Sequence, residues 1–311
     1  MNKTYSKFYL NLSLLISFIP ALLISGPFFS DLIVSCSSIF FLFYLFKKKE
    51  ITYLNKKPII FFFLFCVYCI FLSVFVSQDI FLSFQSSLFY FRIGIFSCLI
   101  WFLIENNKKI LDYFYYTLMA CFITLLIDGN IQYYFGKNLF GFEKYGPRIS
   151  SFFGDEHIMG SYIARLYPLT FALFFLRKEV KTKLYLTILL FILFSSLIII
   201  SGERTAIVFH IISIIFIIVL TKKYFKLKLF IFFSFIAFFI LIISYSEIHK
   251  NRFLKNPISG MGLTNAKEDK YIFTKAHDSL YKTAINMFLD KPVFGHGPKM
   301  FRVICKDEKY A

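Results

Sequence analysis

Residues 58–76 have the sequence PIIFFFLFCVYCIFLSVFV, and this run decides the fold class. It contains no charged side chain, and two lysines, Lys56 and Lys57, precede it directly. A helix of about 20 apolar residues is long enough to cross the ~30 Å hydrocarbon core of a bilayer. The run therefore predicts a transmembrane helix.

Similar apolar runs recur on both sides of this stretch, and the chain is 58% hydrophobic and 22% aromatic. Because a run of this kind predicts a span, we expect an all-α fold, a polytopic transmembrane helical bundle over residues 1–244. The first run is expected to be an uncleaved span rather than a signal peptide. The nine spans are expected at about 8–25, 28–46, 58–76, 90–104, 110–127, 158–176, 184–200, 206–220 and 229–244.

Clusters of Lys and Arg between the runs set the orientation, because short cytoplasmic loops carry an excess of positive charge. If the N-terminus is cytoplasmic, the five cytoplasmic segments carry 17 Lys and Arg residues and the four short outer loops carry 4. This predicts an extracytoplasmic loop at 128–157 and a helical extracytoplasmic segment at 245–311. The cytoplasmic clusters lie at 47–57, 108–109, 177–183 and 222–228.

The formal net charge of +17 is, by itself, typical of a protein that binds nucleic acid. Much of the positive excess lies in the cytoplasmic loops, where it directs membrane insertion. We therefore expect no nucleic-acid partner, and we expect membrane lipids to surround the bundle.

The motifs of soluble nucleotide-dependent and metal-dependent enzymes are missing from the sequence. It has no Walker loop, no dinucleotide fingerprint, no H-E-x-x-H and no paired aspartates suited to a nucleotide sugar. The Cys66-x-x-Cys69 pair lies in a span, where thiols pack as small hydrophobes, so packing is favoured over a metal site. We expect no metal and no cofactor.

Polar residues that are candidates for function lie in the two outer segments. In the first, Asp128-Gly129-Asn130 predicts a turn. In the second, apolar positions on one helical face predict an amphipathic helix that begins near Asp278 or Ser279 and ends by Pro292. These apolar positions are Leu280, Ala284, Met287 and Phe288.

Arginines are the strongest candidates for ligand binding. Arg204 lies in the short turn 201–205 between two apolar spans, at a helix N-terminus where backbone N–H groups favour an anion. Arg148 supplies a second guanidinium fork, and two fixed cations facing one cavity favour a diphosphate. Arg165, about two turns inside the sixth span, is at a depth where an ionisable group faces water or a partner. A plain charge pair of Glu203 and Arg204 at a helix start stays open as the alternative.

Four groups of motifs follow one another along most of the chain. They are Asp128-Gly129, Gln132-Tyr133 and Gly136; Arg148, Phe153-Gly154-Asp155-Glu156 and Gly160-Ser161-Tyr162; Ser201-Gly202-Glu203-Arg204-Thr205-Ala206; and Ala284, Phe288, Pro292, Gly295, Gly297-Pro298 and Phe301-Arg302. In this order, and with a long outward segment after the ninth span, they resemble the O-antigen polymerase and O-antigen ligase superfamily of bacterial envelope glycosyltransferases.

The resemblance implies a membrane glycosyltransferase at the outer, periplasmic face of the bacterial inner membrane. Its donor would be an undecaprenyl-diphosphate-linked glycan, and its acceptor a sugar hydroxyl of a glycan or a lipid-linked glycan. The transfer would proceed with inversion and without a metal, and a chain-length regulator is a further expected partner. Arg204 and Arg148 would hold the donor diphosphate, with Arg165 near the site.

Glycosyl transfer also needs a group that takes the proton of the acceptor hydroxyl. Glu203, Glu156 and His157 are the candidates for this catalytic role, and Asp155 and His277 are further titratable groups in the outer segments. Each also has a simpler interpretation as a surface or capping charge.

The sequence departs from the family in its last segment, because a histidine followed shortly by asparagine is missing there. His296 lies upstream of that position and is not assigned the role. We therefore expect the segment 245–311 to be incomplete at its C-terminus. Polymerase and ligase are not distinguished, and a transporter or flippase of a lipid-linked or anionic solute is the alternative function.

The predicted orientation can be tested by cysteine labelling in intact cells. A cysteine placed near Lys48 or Lys223 should resist a membrane-impermeant thiol reagent, because these positions are expected in the cytoplasm. A cysteine near Asn138 or Asn265 should react. The opposite labelling pattern would overturn the orientation and every assignment to the outer face.

Overall fold

The computed structural model describes residues 3–176, 180–222, 224–263 and 270–310 of the 311-residue chain. Within these ranges the chain is helical, and its only extended pairings are isolated bridges between Lys137 and Glu143 and between Tyr145 and Arg148. The predicted all-α class is confirmed. Positions 177–179 and 223 of the predicted cytoplasmic clusters, and Asn265, lie outside the described residues.

Fifteen α-helices are formed by the described residues, together with short 3-10 turns at Ile51–Asn55, Ser151–Phe153 and Glu308–Tyr310 and a π-helical turn at Asn251–Lys255. In chain order the helices are α1 (Lys3–Ser17), α2 (Ile19–Ile24), α3 (Pro27–Lys48), α4 (Lys57–Phe75), α5 (Ile80–Leu88), α6 (Phe91–Asn106), α7 (Lys109–Phe135), α8 (Met159–Leu176), α9 (Val180–Ile200), α10 (Arg204–Leu220), α11 (Phe225–Tyr245), α12 (Glu247–Lys250), α13 (Asn256–Gly260), α14 (Lys275–Asp290) and α15 (Phe301–Ile304).

Six segments of the described chain are long and apolar enough to cross a membrane, and three shorter apolar helices accompany them. Together they overlap the nine predicted runs, although Ile80–Asn106 begins ten residues before the predicted run 90–104 and Lys109–Phe135 ends eight residues after the predicted run 110–127. The prediction of a polytopic helical membrane protein is confirmed. The six are Pro27–Lys48, Lys57–Phe75, Ile80–Asn106, Lys109–Phe135, Met159–Leu176 and Phe225–Tyr245, and the shorter ones are Tyr9–Ile24, Leu184–Ile200 and Arg204–Leu220.

The chain forms two compact units, and the first comprises Met1–Ser30 and Asn107–Asn256. In this unit α8 packs against α7, α9 and α10, and α11 packs against α9 and α10. Aromatic side chains fill the contacts: the rings of Phe122 and Phe194 meet edge to face at 5.1 Å. Edge-to-face pairs are favourable because the positive rim of one ring meets the negative face of the other.

The turn predicted at Asp128-Gly129-Asn130 is wrong, because these residues lie inside α7, which continues to Phe135. Tertiary contacts outweigh the local turn propensity here. A Cβ atom at Gly129 would lie 3.0 Å from Leu197 Cδ1 and 3.2 Å from Met159 Sδ, so glycine allows α8 and α9 to approach closely. Two polar side chains on this last stretch of α7, Asp128 and Gln132, find partners in the following loop.

Gln132 of α7 holds one end of that loop. Its side chain is fully buried. Oε1 accepts hydrogen bonds from the backbone N–H groups of Ser150 at 2.9 Å and Ser151 at 2.7 Å, and Nε2 donates to the Phe142 carbonyl at 3.1 Å. One glutamine thus satisfies two backbone N–H groups that would otherwise be buried without partners, and it adds a second bond to the Phe142 carbonyl, which also accepts from the Asn138 N–H at 3.0 Å.

Asp128, one helical turn earlier on the same face of α7, holds the loop at two further points. Its buried carboxylate accepts from Ser151 Oγ at 2.5 Å and from the Leu139 N–H at 2.9 Å. Asn138 completes the network, since its Nδ2 donates to the Ser151 carbonyl at 2.9 Å. We call Asp128, Gln132, Asn138 and Ser151 the loop anchor.

The second unit comprises Asp31–Asn106 and Pro257–Ala311. In this unit an ion pair joins α3 and α6, since Arg92 Nη2 lies 2.8 Å from Asp31 Oδ2 and its Nη1 donates to Ser35 Oγ at 3.0 Å. Both charged residues lie in apolar helices, where an ionisable group needs a partner, and this ion pair supplies a partner to each. The predicted boundary near residue 245 separates the transmembrane bundle from an extracytoplasmic segment. The two compact units do not test this boundary, so it stays a prediction.

The amphipathic helix predicted in the tail is present as α14, but it begins at Lys275, one turn earlier than expected. Thr274 precedes it, and the Thr274 carbonyl accepts from the His277 N–H at 2.8 Å, which extends the first turn.

In the same unit a Cβ atom at Gly297 would lie 2.8 Å from Ser77 Cβ, so this glycine, whose φ is +93°, lets the tail approach the end of α4. His296 contacts the Met287 carbonyl at 3.1 Å.

The loop anchor can be tested by Asp128→Ala. The change leaves the Ser151 hydroxyl and the Leu139 N–H without their buried acceptor, so we expect the free energy of unfolding to fall by about 2 to 3 kcal/mol. The matched control is Asn130→Ala in the same helix, because Asn130 Nδ2 donates to the Leu126 carbonyl of its own helix. Unfolding of the purified protein in detergent measures both. Equal losses in the two variants would contradict the anchor.

Candidate functional site

The candidate site in the first unit is built around Gly202, in the turn where α9 ends and α10 begins. Gly202 has a φ of +71°, a left-handed conformation that favours glycine. A Cβ atom there would collide with the Pro147 carbonyl and would lie 3.4 Å from Arg148 Cα. The Ile149 N–H adds a bond to the Ser201 carbonyl at 3.4 Å. The turn therefore packs directly on the backbone of residues 147–149.

This packing brings Arg148 and Arg204, the two arginines predicted to share a ligand, to the same turn. Arg148 lies against Gly202. Arg204 is the first residue of α10, so its side chain extends from a helix N-terminus. Both side chains are half-buried. In the part of the chain that the structure describes, neither guanidinium forms a salt bridge with a carboxylate.

A third arginine, Arg252, joins them, and the sequence analysis missed it. Its Nε donates to the Gly202 carbonyl at 3.2 Å from the π-helical turn. Burial lowers the pKa of the Arg252 guanidinium, and the positive charges of Arg148 and Arg204 lower it further. The available signal was the position of Arg252 shortly after the ninth predicted span, at an end that the predicted orientation places on the same side as the other two arginines.

His249 was also missed, and it holds the segment that carries Arg252. It is buried, its Nδ1 lies 2.9 Å from Ser246 Oγ, and its ring contacts that of Tyr133 at 5.8 Å between centroids. Burial lowers the pKa of the His249 imidazole, and the Ile200 carbonyl partly offsets this. Because the neutral, buried imidazole of His249 contacts the ends of α7 and α9, it fixes the position at which the π-helical turn begins.

Glu203, a predicted catalytic residue, has both carboxylate oxygens occupied. Oε1 accepts from the Gly160 N–H at 2.6 Å, while Oε2 accepts from the Ser161 N–H at 3.1 Å and from Ser161 Oγ at 2.5 Å. These donors form the first turn of α8, where the helix dipole favours a carboxylate. Burial raises the pKa of the Glu203 carboxyl, and the bonds from Ser161 and Gly160 and the charge of Arg148 offset part of this rise. The side chain ties the Gly202 turn to α8.

His157, the second predicted catalytic residue, lies beside Arg148. Its ring stacks on Tyr145 with 5.7 Å between centroids and 19° between planes, and its Nδ1 is buried without a hydrogen-bond partner among the described residues. Burial lowers the pKa of the His157 imidazole, Arg148 lowers it further, and Asp155 offsets part of the change. The imidazole is therefore neutral near pH 7, the form that accepts a proton.

The structure does not bring Glu156 and Arg165 into this cluster by any contact of the described residues. The Glu156 side chain is exposed to solvent. Arg165 is also exposed, on α8, where its guanidinium carbon lies 5.6 Å from the ring centroid of Phe209 in α10. Their predicted roles in catalysis and in diphosphate binding stay predictions.

The site thus brings three half-buried arginines to one glycine, next to a helix N-terminus and a neutral imidazole: Arg204 follows Gly202 by two residues, Arg148 packs against it, and Arg252 donates to its carbonyl. We call Arg148, Arg204 and Arg252 the arginine cluster. Guanidinium forks bind phosphate oxygens in a bidentate way, and partial burial strengthens such contacts. The arrangement fits an anion with more than one phosphate group.

Comparison with protein-family models gives a match. Residues 189–310, about two fifths of the chain, match the family model described as O-antigen ligase. This confirms the predicted resemblance to the O-antigen polymerase and ligase superfamily. The matched range includes Glu203, Arg204 and Arg252, whereas Arg148 and His157 precede it. No curated protein and no solved structure gives a significant match.

Proposed function

We propose that this chain, whose residues 189–310 match the O-antigen ligase family, is a membrane glycosyltransferase that polymerises or ligates glycans carried on undecaprenyl diphosphate. The observation that carries the proposal is the arginine cluster at the Gly202 turn. The reaction takes place at the outer, periplasmic face of the bacterial inner membrane. This face follows from the predicted orientation, in which the Gly202 turn and the loop that contains Arg148 both lie outside.

The arginine cluster suits a diphosphate leaving group. When the bond between the sugar and the diphosphate breaks, negative charge develops on the phosphate oxygen. Fixed cations aimed at that oxygen stabilise the transition state, and they do so more strongly where bulk water is excluded. The three guanidinium groups supply this charge, so the proposed transfer needs no metal ion to neutralise the leaving group.

The proposed step is a single displacement with inversion at the anomeric carbon. The acceptor hydroxyl oxygen forms the new bond to this carbon, its proton passes to the neutral imidazole of His157, and the diphosphate departs with the electron pair of the broken bond. His157 is favoured over Glu203 as the proton acceptor, because both oxygens of Glu203 already accept bonds from α8. Glu203 instead fixes the Gly202 turn.

Arg204→Lys tests the role of the guanidinium fork. Lysine keeps the charge but loses bidentate geometry, so the transfer rate should fall roughly ten- to a hundredfold, the equivalent of about 1.5 to 3 kcal/mol. Polymer length on a gel, in a strain that lacks the native gene, and initial rates on purified protein measure the effect. Membrane abundance should stay near that of the wild type.

Arg302→Lys is the matched control, since Arg302 is exposed on α15 in the second unit and should tolerate the same exchange. Normal polymer from Arg204→Ala at normal abundance would refute the phosphate-binding role. Loss of the protein itself from the membrane would show that Arg204 supports the turn rather than the ligand.

A further inference from the structure

We propose that the exposed ring of Tyr145 is a carbohydrate subsite that stacks on the sugar ring joined directly to the bound diphosphate. The inference rests on the proposed function and adds a residue that recognises the glycan rather than the phosphates. Tyr145 lies outside the range matched by the family model. Its position beside the arginine cluster carries the argument.

Tyr145 and Arg148 are the two ends of a tight hairpin turn. The Tyr145 N–H donates to the Arg148 carbonyl at 3.0 Å, and the Arg148 N–H donates to the Tyr145 carbonyl at 3.0 Å. Between them Gly146 has a φ of +56° and is followed by Pro147, as in a hairpin turn with glycine at its first central position. Residues paired in this way carry their side chains on the same face, about 5 Å apart at Cβ.

The Tyr145 ring is held in place but not covered. His157 stacks on it almost in parallel, yet 74% of Tyr145 is exposed. His157 stacks on Tyr145 and senses the charge of Arg148, and Arg148 pairs with Tyr145 across the turn, so the three side chains belong to one patch. Tyr145 is held by one neighbour, keeps one face exposed and lies beside a cation. Such a ring can bind a ligand that has both an apolar face and a phosphate.

A glycosyl diphosphate has these two features in the matching order. One face of a pyranose ring presents C–H bonds, whose partial positive charge is attracted to the negative face of an aromatic ring. A single bridging oxygen separates that sugar from the phosphate. When Arg148 holds the phosphate, the first sugar is therefore within reach of the side chain on the same face of the turn, which is Tyr145.

The test compares lipid binding by the purified full chain in detergent. Three probes are used: undecaprenyl monophosphate, undecaprenyl diphosphate, and undecaprenyl diphosphate that bears one N-acetylglucosamine. The wild type should bind the sugar-bearing lipid roughly three- to tenfold more tightly than the bare diphosphate lipid, as expected for one stacked ring. Tyr145→Phe should keep this preference, and Tyr145→Leu should abolish it while its affinity for the bare diphosphate lipid stays unchanged.

Two results would overturn the subsite. A sugar preference that is missing in the wild type or persists in Tyr145→Leu would exclude stacking on the sugar. Equal weakening of both diphosphate lipids in Tyr145→Leu would mean that the ring supports the loop or contacts the membrane interface. Failure of the diphosphate site would appear separately, as equal affinity of the wild type for the monophosphate and bare diphosphate lipids.

Discussion

The candidate site depends on the hydrogen bonds by which Asp128 and Gln132 hold the loop that follows α7. These two side chains leave the helix one turn apart and accept from the backbone N–H groups of Leu139 and of the buried Ser150 and Ser151. Without such acceptors the buried N–H groups of the loop would oppose its packing against a helical bundle. Because the loop is fixed here, the Pro147 carbonyl meets Gly202 and Arg148 lies against the same turn.

Glycine and one carboxylate complete this arrangement. Gly202 and Gly160 let three backbone segments approach more closely than any side chain would allow, and Glu203 ties the resulting turn to the first turn of α8. The consequence is electrostatic: three half-buried guanidinium groups lie together with little compensating negative charge among the described residues. Such a cluster costs stability in the free protein, and an anionic ligand that neutralises it recovers that cost as binding energy.

Hydropathy and charge in the sequence were enough to predict the nine apolar helices, because a bilayer demands long apolar runs whatever the tertiary packing. The end of α7 was mispredicted, since Asp128-Gly129-Asn130 has the composition of a turn and only the later loop shows why it stays helical. Arg204 was proposed as a ligand residue from its isolation in a short turn at a helix start, and Arg148 as a second guanidinium fork. Arg252 and Tyr145 were not proposed, because Arg252 contacts Gly202 from fifty residues away and Tyr145 contacts His157 across the loop. No local pattern encodes such contacts.

The central claim is that Arg148 and Arg252, which lie on different segments of the chain, bind one and the same diphosphate. A double-mutant cycle on the affinity for undecaprenyl diphosphate tests it most directly, with Arg148→Gln, Arg252→Gln and the double variant measured in the same detergent. If both arginines act on one ligand, the losses will not add, and the coupling energy will lie between about 0.5 and 3 kcal/mol. Strictly additive losses, or an affinity that neither substitution changes, would contradict the account.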